Sequence, residues 1–112
     1  MKKMTITVFA FGVLLLACSK NNVNYTADCS TTKYYAADVS PIIQSSCATN
    51  SGCHASGSSN GPGALTTYAQ VYSARSDIRK DVANGSMPRN GSLTNDQKNA
   101  IICWIDSGAP NN

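Results

Sequence analysis

The residues best suited to chemistry lie in one short segment, Cys47-Ala-Thr-Asn-Ser-Gly-Cys53-His54. Two thiols followed directly by an imidazole are the layout of covalent haem attachment, in which the thiols add across the two vinyl groups of the porphyrin. The imidazole of His54 would then supply the proximal ligand of the iron. His54 is the only histidine of the chain, so no other imidazole competes for this role.

The spacing within this segment departs from the usual one. Five residues separate Cys47 from Cys53, whereas two residues are common in haem attachment motifs. The extra residues must bulge out while both sulfurs still reach adjacent pyrroles, and Asn50 and Gly52 are suited to the left-handed backbone conformations that such a bulge would need. The spacing leaves open whether both cysteines are bonded to haem or only Cys53.

Met87 is the candidate for the second axial ligand. The other two methionines lie in a predicted leader, and Met87 lies in a loop between Gly85 and Pro88. A thioether is a good distal ligand for haem iron and raises its reduction potential. The alternative is a methionine that fills a gap in the core, but a loop flanked by glycine and proline is a poor place for core packing.

The first seventeen residues have the pattern of a signal peptide. Two lysines precede an apolar run over 6–17, which is too short to span a membrane. The run ends at Cys18 in a segment that resembles the lipobox of bacterial lipoproteins, which implies that Cys18 is lipidated and anchors the mature chain. Ser19 in place of Asp implies the outer membrane. The alternative is a secretory leader cut near Ala17, and both interpretations predict export to a compartment where disulfides persist.

The remaining chain is expected to be one small and nearly neutral domain. Of 112 residues, 42% are hydrophobic and 13% charged, which argues against a disordered tail. Nine residues are Lys or Arg, two of them in the leader, which leaves seven cations against six Asp and no electrostatic basis for binding nucleic acid. Residues 18–33 are polar and aperiodic and are predicted to form a tether, with the folded domain over 34–112.

Three helical patterns predict a small all-α domain with long loops. They cover residues 36–46, 67–83 and 94–108. Ser40 and Pro41 are the predicted N-cap and first residue of the first helix, and Thr94 with Gln97 forms a predicted capping box at the start of the third. The loops between the helices cover 55–64 and 85–93. Long loops in a compact domain are usually functional.

Together these motifs resemble those of small monohaem cytochrome c domains of class I type. The matching stretches are Val39 to Ile43, Cys47 to His54, Leu65 to Tyr68, Gly85 to Pro88 and Leu93 to Pro110. The resemblance covers about 34–112 and implies a cytochrome c-like fold, with crossing first and last helices, around one haem c. It implies His54 and Met87 as axial ligands, and it suggests that the Pro62 carbonyl accepts a hydrogen bond from His54 Nδ1.

The function that this resemblance implies is electron transfer between Fe(II) and Fe(III). With both axial positions filled, no site is left for a substrate, and a single histidine removes most schemes of acid–base catalysis. We therefore expect a monomeric electron carrier and not an enzyme. Its expected partner is another redox protein, such as an oxidase, a reductase or a dehydrogenase.

Cys29 and Cys103 are the two cysteines without a role in haem or lipid attachment. With Cys18 lipidated and Cys47 and Cys53 on haem, a disulfide between Cys29 and Cys103 accounts for all five cysteines. The alternatives are two unpaired thiols or pairing across a dimer.

Two other functions compete with electron transfer. One is a lipid-anchored scaffold with a structural zinc site formed by Cys47, Cys53, His54 and either Cys29 or Cys103, although zinc ligand pairs usually lie closer together in sequence. The other is a lipoprotein held by disulfides alone, with no cofactor. A Soret absorbance in the purified protein would separate haem binding from both.

The remaining large side chains are given structural roles. Trp104 is expected to pack in the core or against haem. A cluster of basic residues is expected to form a solvated face, with pairing to haem propionates as the lesser alternative. The cluster comprises Arg75, Arg79, Lys80 and Arg89.

Overall fold

Four α-helices and one π-helical turn make up the regular structure of residues 24–112, the part of the chain that this computed structural model describes. The π-helical turn is Tyr35–Val39 and continues directly into α1, Ser40–Ser46; the others are α2, Tyr68–Ser73, α3, Arg75–Asn84, and α4, Asn95–Asp106. No strand occurs in this range, and the predicted all-α class is confirmed. None of the helices described is long and apolar enough to cross a membrane. The predicted leader and Cys18 lie outside the described residues.

The first helix covers its predicted range to within one residue, but it begins as a π-helical turn and not at Ser40. The Val39 amide donates to the Tyr34 carbonyl at 3.2 Å, and the Ser40 amide donates to the Tyr35 carbonyl, which is the i to i+5 spacing of a π-helix. The prediction of Ser40 as N-cap is therefore wrong, because the helical path already starts at Tyr35. The wider turn places both Tyr35 and Val39 in the core.

The predicted second helix is two helices that meet at Ala74. Its backbone has φ −90° and ψ 2°, outside the helical range, so Ala74 ends α2 and begins α3. The Arg75 guanidinium donates to the Tyr72 carbonyl at 2.8 Å, which partly compensates for the interrupted helical hydrogen bonds. A capping box formed by Thr67 and Gln70 fixes the start of α2. The predicted single helix over 67–83 is corrected accordingly.

The start of α4 is as predicted. The Gln97 amide donates to the Thr94 hydroxyl at 3.2 Å, and the Thr94 amide donates to the Gln97 side chain at 2.9 Å. These bonds satisfy two backbone donors that a helix start would otherwise leave unpaired. The helix ends at Asp106, and Gly108 then adopts φ +103°, which glycine tolerates.

Trp104 lies at the centre of the core, where the first and last helices meet. Its side chain is fully buried, and its ring centroid lies 5.3 Å from that of Tyr35 and 6.3 Å from that of Tyr68. The indole N–H donates to the Pro110 carbonyl at 2.8 Å, and the Tyr68 hydroxyl donates to the Ala109 carbonyl at 2.8 Å. The predicted core position of Trp104 is confirmed, and its polar atom is satisfied.

Residues 24–33, which the sequence assigned to the tether, lie along α3 and α4. The Tyr25 amide donates to the Ala83 carbonyl at 2.8 Å, and its hydroxyl donates to the Asn99 side chain at 2.8 Å. The Asp28 amide donates to the same Asn99 oxygen at 3.0 Å. The contacts of the domain thus begin upstream of the boundary predicted at residue 34. The composition of residues 24–33 could not predict these contacts, because the residues that they contact on α3 and α4 are distant in sequence.

The predicted disulfide between Cys29 and Cys103 is present. Their Cα atoms lie 5.3 Å apart across a sequence separation of 74 residues. The bond attaches the segment upstream of the first helix to α4, next to the Asn99 contacts. The alternatives of unpaired thiols or pairing across a dimer are therefore ruled out for these two cysteines in this structure.

One ion pair joins α3 to the end of α4. Arg79 Nε lies 2.6 Å from Asp106 Oδ1, and the second guanidinium nitrogen donates to Oδ2 at 2.9 Å. The hydrogen bond from Arg79 holds the pKa of the Asp106 carboxyl below its usual range. Both side chains are more than 40% exposed. The bidentate geometry favours the pair, while solvent screening keeps its contribution small.

Asp106→Asn is expected to lower the free energy of unfolding by about 0.5–1 kcal/mol at neutral pH. Because folding lowers the pKa of Asp106, the stabilisation is complete above the pKa of the unfolded carboxyl, about 3.9, and is lost as the pH falls through the folded pKa. Urea unfolding at neutral and acidic pH measures the difference, which should shrink in acid. Asp81→Asn, which removes a carboxylate on α3 without an ion pair among the described residues, is the control. Equal losses in the two variants would contradict the prediction.

Candidate functional site

A cavity of about 510 Å³ brings together the side chains that the sequence singled out. Cys47, Cys53, His54 and Met87 all line it, although α2 and α3 separate Met87 from the other three along the chain. The walls come from the end of α1, the loops around 52–61 and the loop over 87–92. A volume of this size falls within the range of cofactor and small-ligand pockets, about 300–1,000 Å³.

His54 is held in a single orientation by three hydrogen bonds. Its amide donates to the Cys47 carbonyl at 3.0 Å, and its own carbonyl accepts from the Leu65 amide at 2.7 Å. The ring Nδ1 lies 2.8 Å from the Gly63 carbonyl. Because a carbonyl can only accept, Nδ1 carries a proton, and in the neutral tautomer that this contact selects Nε2 is the nitrogen that can bind a metal. With 8% exposure, His54 is the buried polar residue of the described core.

The acceptor for His54 is the Gly63 carbonyl, not the Pro62 carbonyl predicted from the family resemblance. The Gly63 amide donates to the Asn60 carbonyl, which closes a turn, and Gly63 leaves that turn with φ +93°. This left-handed conformation favours glycine and directs the chain back past the imidazole. The predicted hydrogen bond between His54 Nδ1 and a loop carbonyl is therefore present, but its acceptor lies one residue further along the chain.

The loop between the two cysteines is closed by Asn50. Its carbonyl accepts from the amides of Cys53 and Ala55, each at 3.0 Å, and its side-chain oxygen accepts from the Cys53 amide at 3.1 Å. The prediction that Asn50 and Gly52 adopt left-handed conformations is wrong, since neither has a positive φ. Instead, the side-chain oxygen of Asn50 closes the turn by accepting a hydrogen bond from the backbone, as asparagine commonly does in turns. A Cβ at Gly52 would approach the Asn50 oxygen to 3.1 Å.

Two side chains of the following loop stabilise this turn by donating hydrogen bonds to its backbone carbonyls. The Ser58 hydroxyl donates to the Cys53 carbonyl, and the side-chain Nδ2 of Asn60 donates to the Gly52 carbonyl. Neither residue was predicted from the sequence. The available signal was their type, because serine and asparagine in a glycine-rich loop often bond to backbone groups.

Cys47 and Cys53 are half-buried thiols on the cavity wall, and neither is paired with another cysteine of residues 24–112. Burial, and secondarily the nearby Cys53, raise the pKa of the Cys47 thiol. At neutral pH Cys47 is therefore a neutral thiol, which can remain next to the second cysteine without charge repulsion. The arrangement offers two sulfur nucleophiles and one imidazole nitrogen to a single ligand.

The backbone of Met87 is fixed against the end of α3. Gly85 ends the helix with φ +77°, and the Met87 amide then donates to the Asp81 carbonyl at 3.2 Å. The Met87 side chain lines the cavity and is not a member of the buried core. The alternative of a methionine that fills a core gap therefore does not fit its position.

The zinc site considered from sequence lacks its fourth ligand. It needed Cys29 or Cys103 beside Cys47, Cys53 and His54, and the first two are bonded to each other. In residues 24–112 no three His, Cys, Asp or Glu side chains cluster with the geometry of a metal site.

The four basic residues that were expected to form one solvated face have different surroundings. Arg79 pairs with Asp106, Lys80 lies 3.7 Å from Asp77, and the Arg75 guanidinium lies 4.0 Å from the centre of the Tyr72 ring. Arg89 differs from these three because it lines the cavity. The prediction that these four residues form a single face is therefore wrong.

Comparisons of the chain with protein-family models, with curated proteins and with solved structures find no match. Function is therefore inferred from the chemistry of the site itself.

Proposed function

We propose that this domain holds one haem covalently, as a c-type cytochrome does, and transfers single electrons. The supporting observation is the shared cavity: two thiols, a buried imidazole and a loop thioether all line it. Each of the four fits one role in binding a haem. Cys47 and Cys53 would form thioethers with the porphyrin, and His54 and Met87 would bind its iron.

The chain's own residues prepare the site for this role. The Gly63 carbonyl keeps the proton on His54 Nδ1, so Nε2 is the nitrogen available to iron, and the hydrogen bond increases the basicity of the ring. The sulfur of Met87 would favour the reduced state of the iron. When bound, haem supplies a one-electron couple. With His54 and Met87 occupying both axial positions, the domain would act as a carrier and not as an enzyme.

The proposed setting is an exported lipoprotein that exchanges electrons with another redox protein. The Cys29–Cys103 disulfide supports export, because such bonds persist in oxidising compartments. Lipidation at Cys18 would hold the domain at a membrane surface, where the outer membrane is the proposed location. The partner would be an oxidase, a reductase or a dehydrogenase.

The direct test is to express the full chain in cells that carry haem-maturation machinery and to purify it. A Soret band is expected, and after denaturation the mass of the polypeptide should include one haem. Acid–acetone should leave the pigment on the protein, because thioethers survive it. Colourless protein, or pigment that acid–acetone extracts completely, would overturn the proposal.

Met87→Ala is expected to remove the methionine-to-ferric-iron charge-transfer band and to lower the reduction potential, because loss of the thioether favours the ferric state. Covalent haem retention should not change. Visible spectroscopy and a redox titration measure both effects. Asn90→Ala alters the same cavity loop but keeps the sulfur, and it serves as the control. A charge-transfer band that survives in Met87→Ala would exclude Met87 as a ligand.

A further inference from the structure

Arg89 is the one charged residue among those that line the cavity, His54 apart. It has no ion-pair or hydrogen-bond partner within residues 24–112, whereas Arg75, Arg79 and Lys80 all have one. It follows Met87 by two residues in the loop after α3, where it is exposed. An unpaired guanidinium at a cavity wall is a binding group for an anion.

The rest of the wall is compatible with an anionic ligand. No carboxylate lines the cavity, so nothing there would repel a negative charge or compete for the guanidinium. Hydroxyl and amide groups that can donate hydrogen bonds to an anion surround the space. They belong to Ser46, Thr49, Asn60, Asn90 and Ser92, whereas the Ser45 hydroxyl already donates to the Pro41 carbonyl at 2.8 Å.

We infer that Arg89 binds a carboxylate of the haem side chains and thereby positions the haem edge and adjusts its reduction potential. The inference rests on the proposed function and extends it to a residue outside the attachment motif and the axial ligands. A guanidinium offers two parallel N–H donors that match a carboxylate, which gives orientation as well as charge neutralisation. Its positive charge near the haem also disfavours the more positive oxidised iron, so it raises the reduction potential.

The test compares Arg89→Gln, Arg89→Lys and Arg75→Gln in the haem-loaded protein. Arg89→Gln is expected to have a lower reduction potential than the unaltered protein, and Arg89→Lys, which keeps the charge, is expected to recover most of the difference. Arg75→Gln removes an arginine that lies on Tyr72 and outside the cavity, so its potential should match that of the unaltered protein. All three variants should retain haem covalently.

A second measurement separates direct binding from a general effect of charge. In the reduced protein, NMR should show nuclear Overhauser effects between the Arg89 side chain and the methylene protons of a haem propionate. The Arg89 Nε proton should also exchange slowly with water. Haem-loaded protein without these contacts, or with equal potentials in Arg89→Gln and Arg75→Gln, would overturn the role of Arg89 alone. Protein that carries no covalent haem would overturn the proposed function, and this inference with it.

Discussion

Cys47→Ser/Cys53→Ser is expected to lose all covalently held haem when the full chain is matured and then denatured. A serine hydroxyl does not add to a porphyrin vinyl group under conditions in which a thiol does. His54 and Met87 remain on the cavity wall in this variant, so haem can still bind, but acid–acetone should extract it completely. Mass spectrometry of the denatured chain measures the loss. Ser45→Ala/Ser46→Ala changes two hydroxyls on the same wall and should leave retention intact.

The single variants decide how many thioethers form. If both cysteines react, Cys47→Ser and Cys53→Ser should each retain haem through the other sulfur. Their visible bands should shift to longer wavelength, because one unreacted vinyl group stays conjugated with the ring. If only one cysteine reacts, replacing it alone should abolish retention. Retention of haem by the double variant would show that neither thiol is the point of attachment.

The five-residue spacing between the cysteines is consistent with two attachments because the loop folds back on itself. The Asn50 carbonyl accepts hydrogen bonds from the amides of Cys53 and Ala55, and the Cys47 carbonyl accepts one from the His54 amide. Both ends of the loop are therefore tied together by backbone bonds, and both thiols line the same cavity. The longer spacing therefore adds a turn that hydrogen bonds stabilise, and Cys53 still lines the same cavity as Cys47.

Features that depend on neighbours along the chain were predictable from the sequence. The Thr94 and Gln97 capping box is an interaction between residues three apart, so the residue types determine it. The segment from Cys47 to His54 was singled out by its residue types, and the structure places its two thiols and its imidazole on the wall of one cavity. The disulfide was predicted from the number of cysteines, with lipid and haem attachment expected for the other three, and it is present.

The disulfide and the core position of Trp104 apart, features that depend on tertiary contacts were not predictable from the sequence. Alanine has the highest intrinsic helix propensity of any residue type, yet the backbone leaves the helix at Ala74, so the residue type gives no signal of the break. The acceptor for His54 is a backbone carbonyl, and every residue has one. Choosing Gly63 over Pro62 therefore required the path of the loop. The cavity position of Arg89 depends on the same kind of information.

Cys29→Ala/Cys103→Ala is expected to lower the free energy of unfolding by about 4 kcal/mol, the chain-entropy value for a loop of this length. The disulfide joins residues separated by 74 positions, so it restricts most of the unfolded domain. Alanine avoids placing a hydroxyl at position 103, which is only 6% exposed. A small domain with a limited core depends strongly on such a bond.

Denaturant unfolding of the haem-loaded protein measures this loss, and Asn99→Ala is the matched control. That variant removes the hydrogen bonds that hold Tyr25 and Asp28 but leaves the disulfide, so it should cost about 1–2 kcal/mol. In samples whose iron is kept ferrous throughout, so that only the disulfide is left to reduce, dithiothreitol should destabilise the unaltered protein by about as much as the alanine pair does, and should have no effect on that pair. If the alanine pair lost no more than Asn99→Ala, the bond would contribute only by docking residues 24–33 onto α4. A larger loss shows that it also stabilises the fold by restricting the unfolded chain.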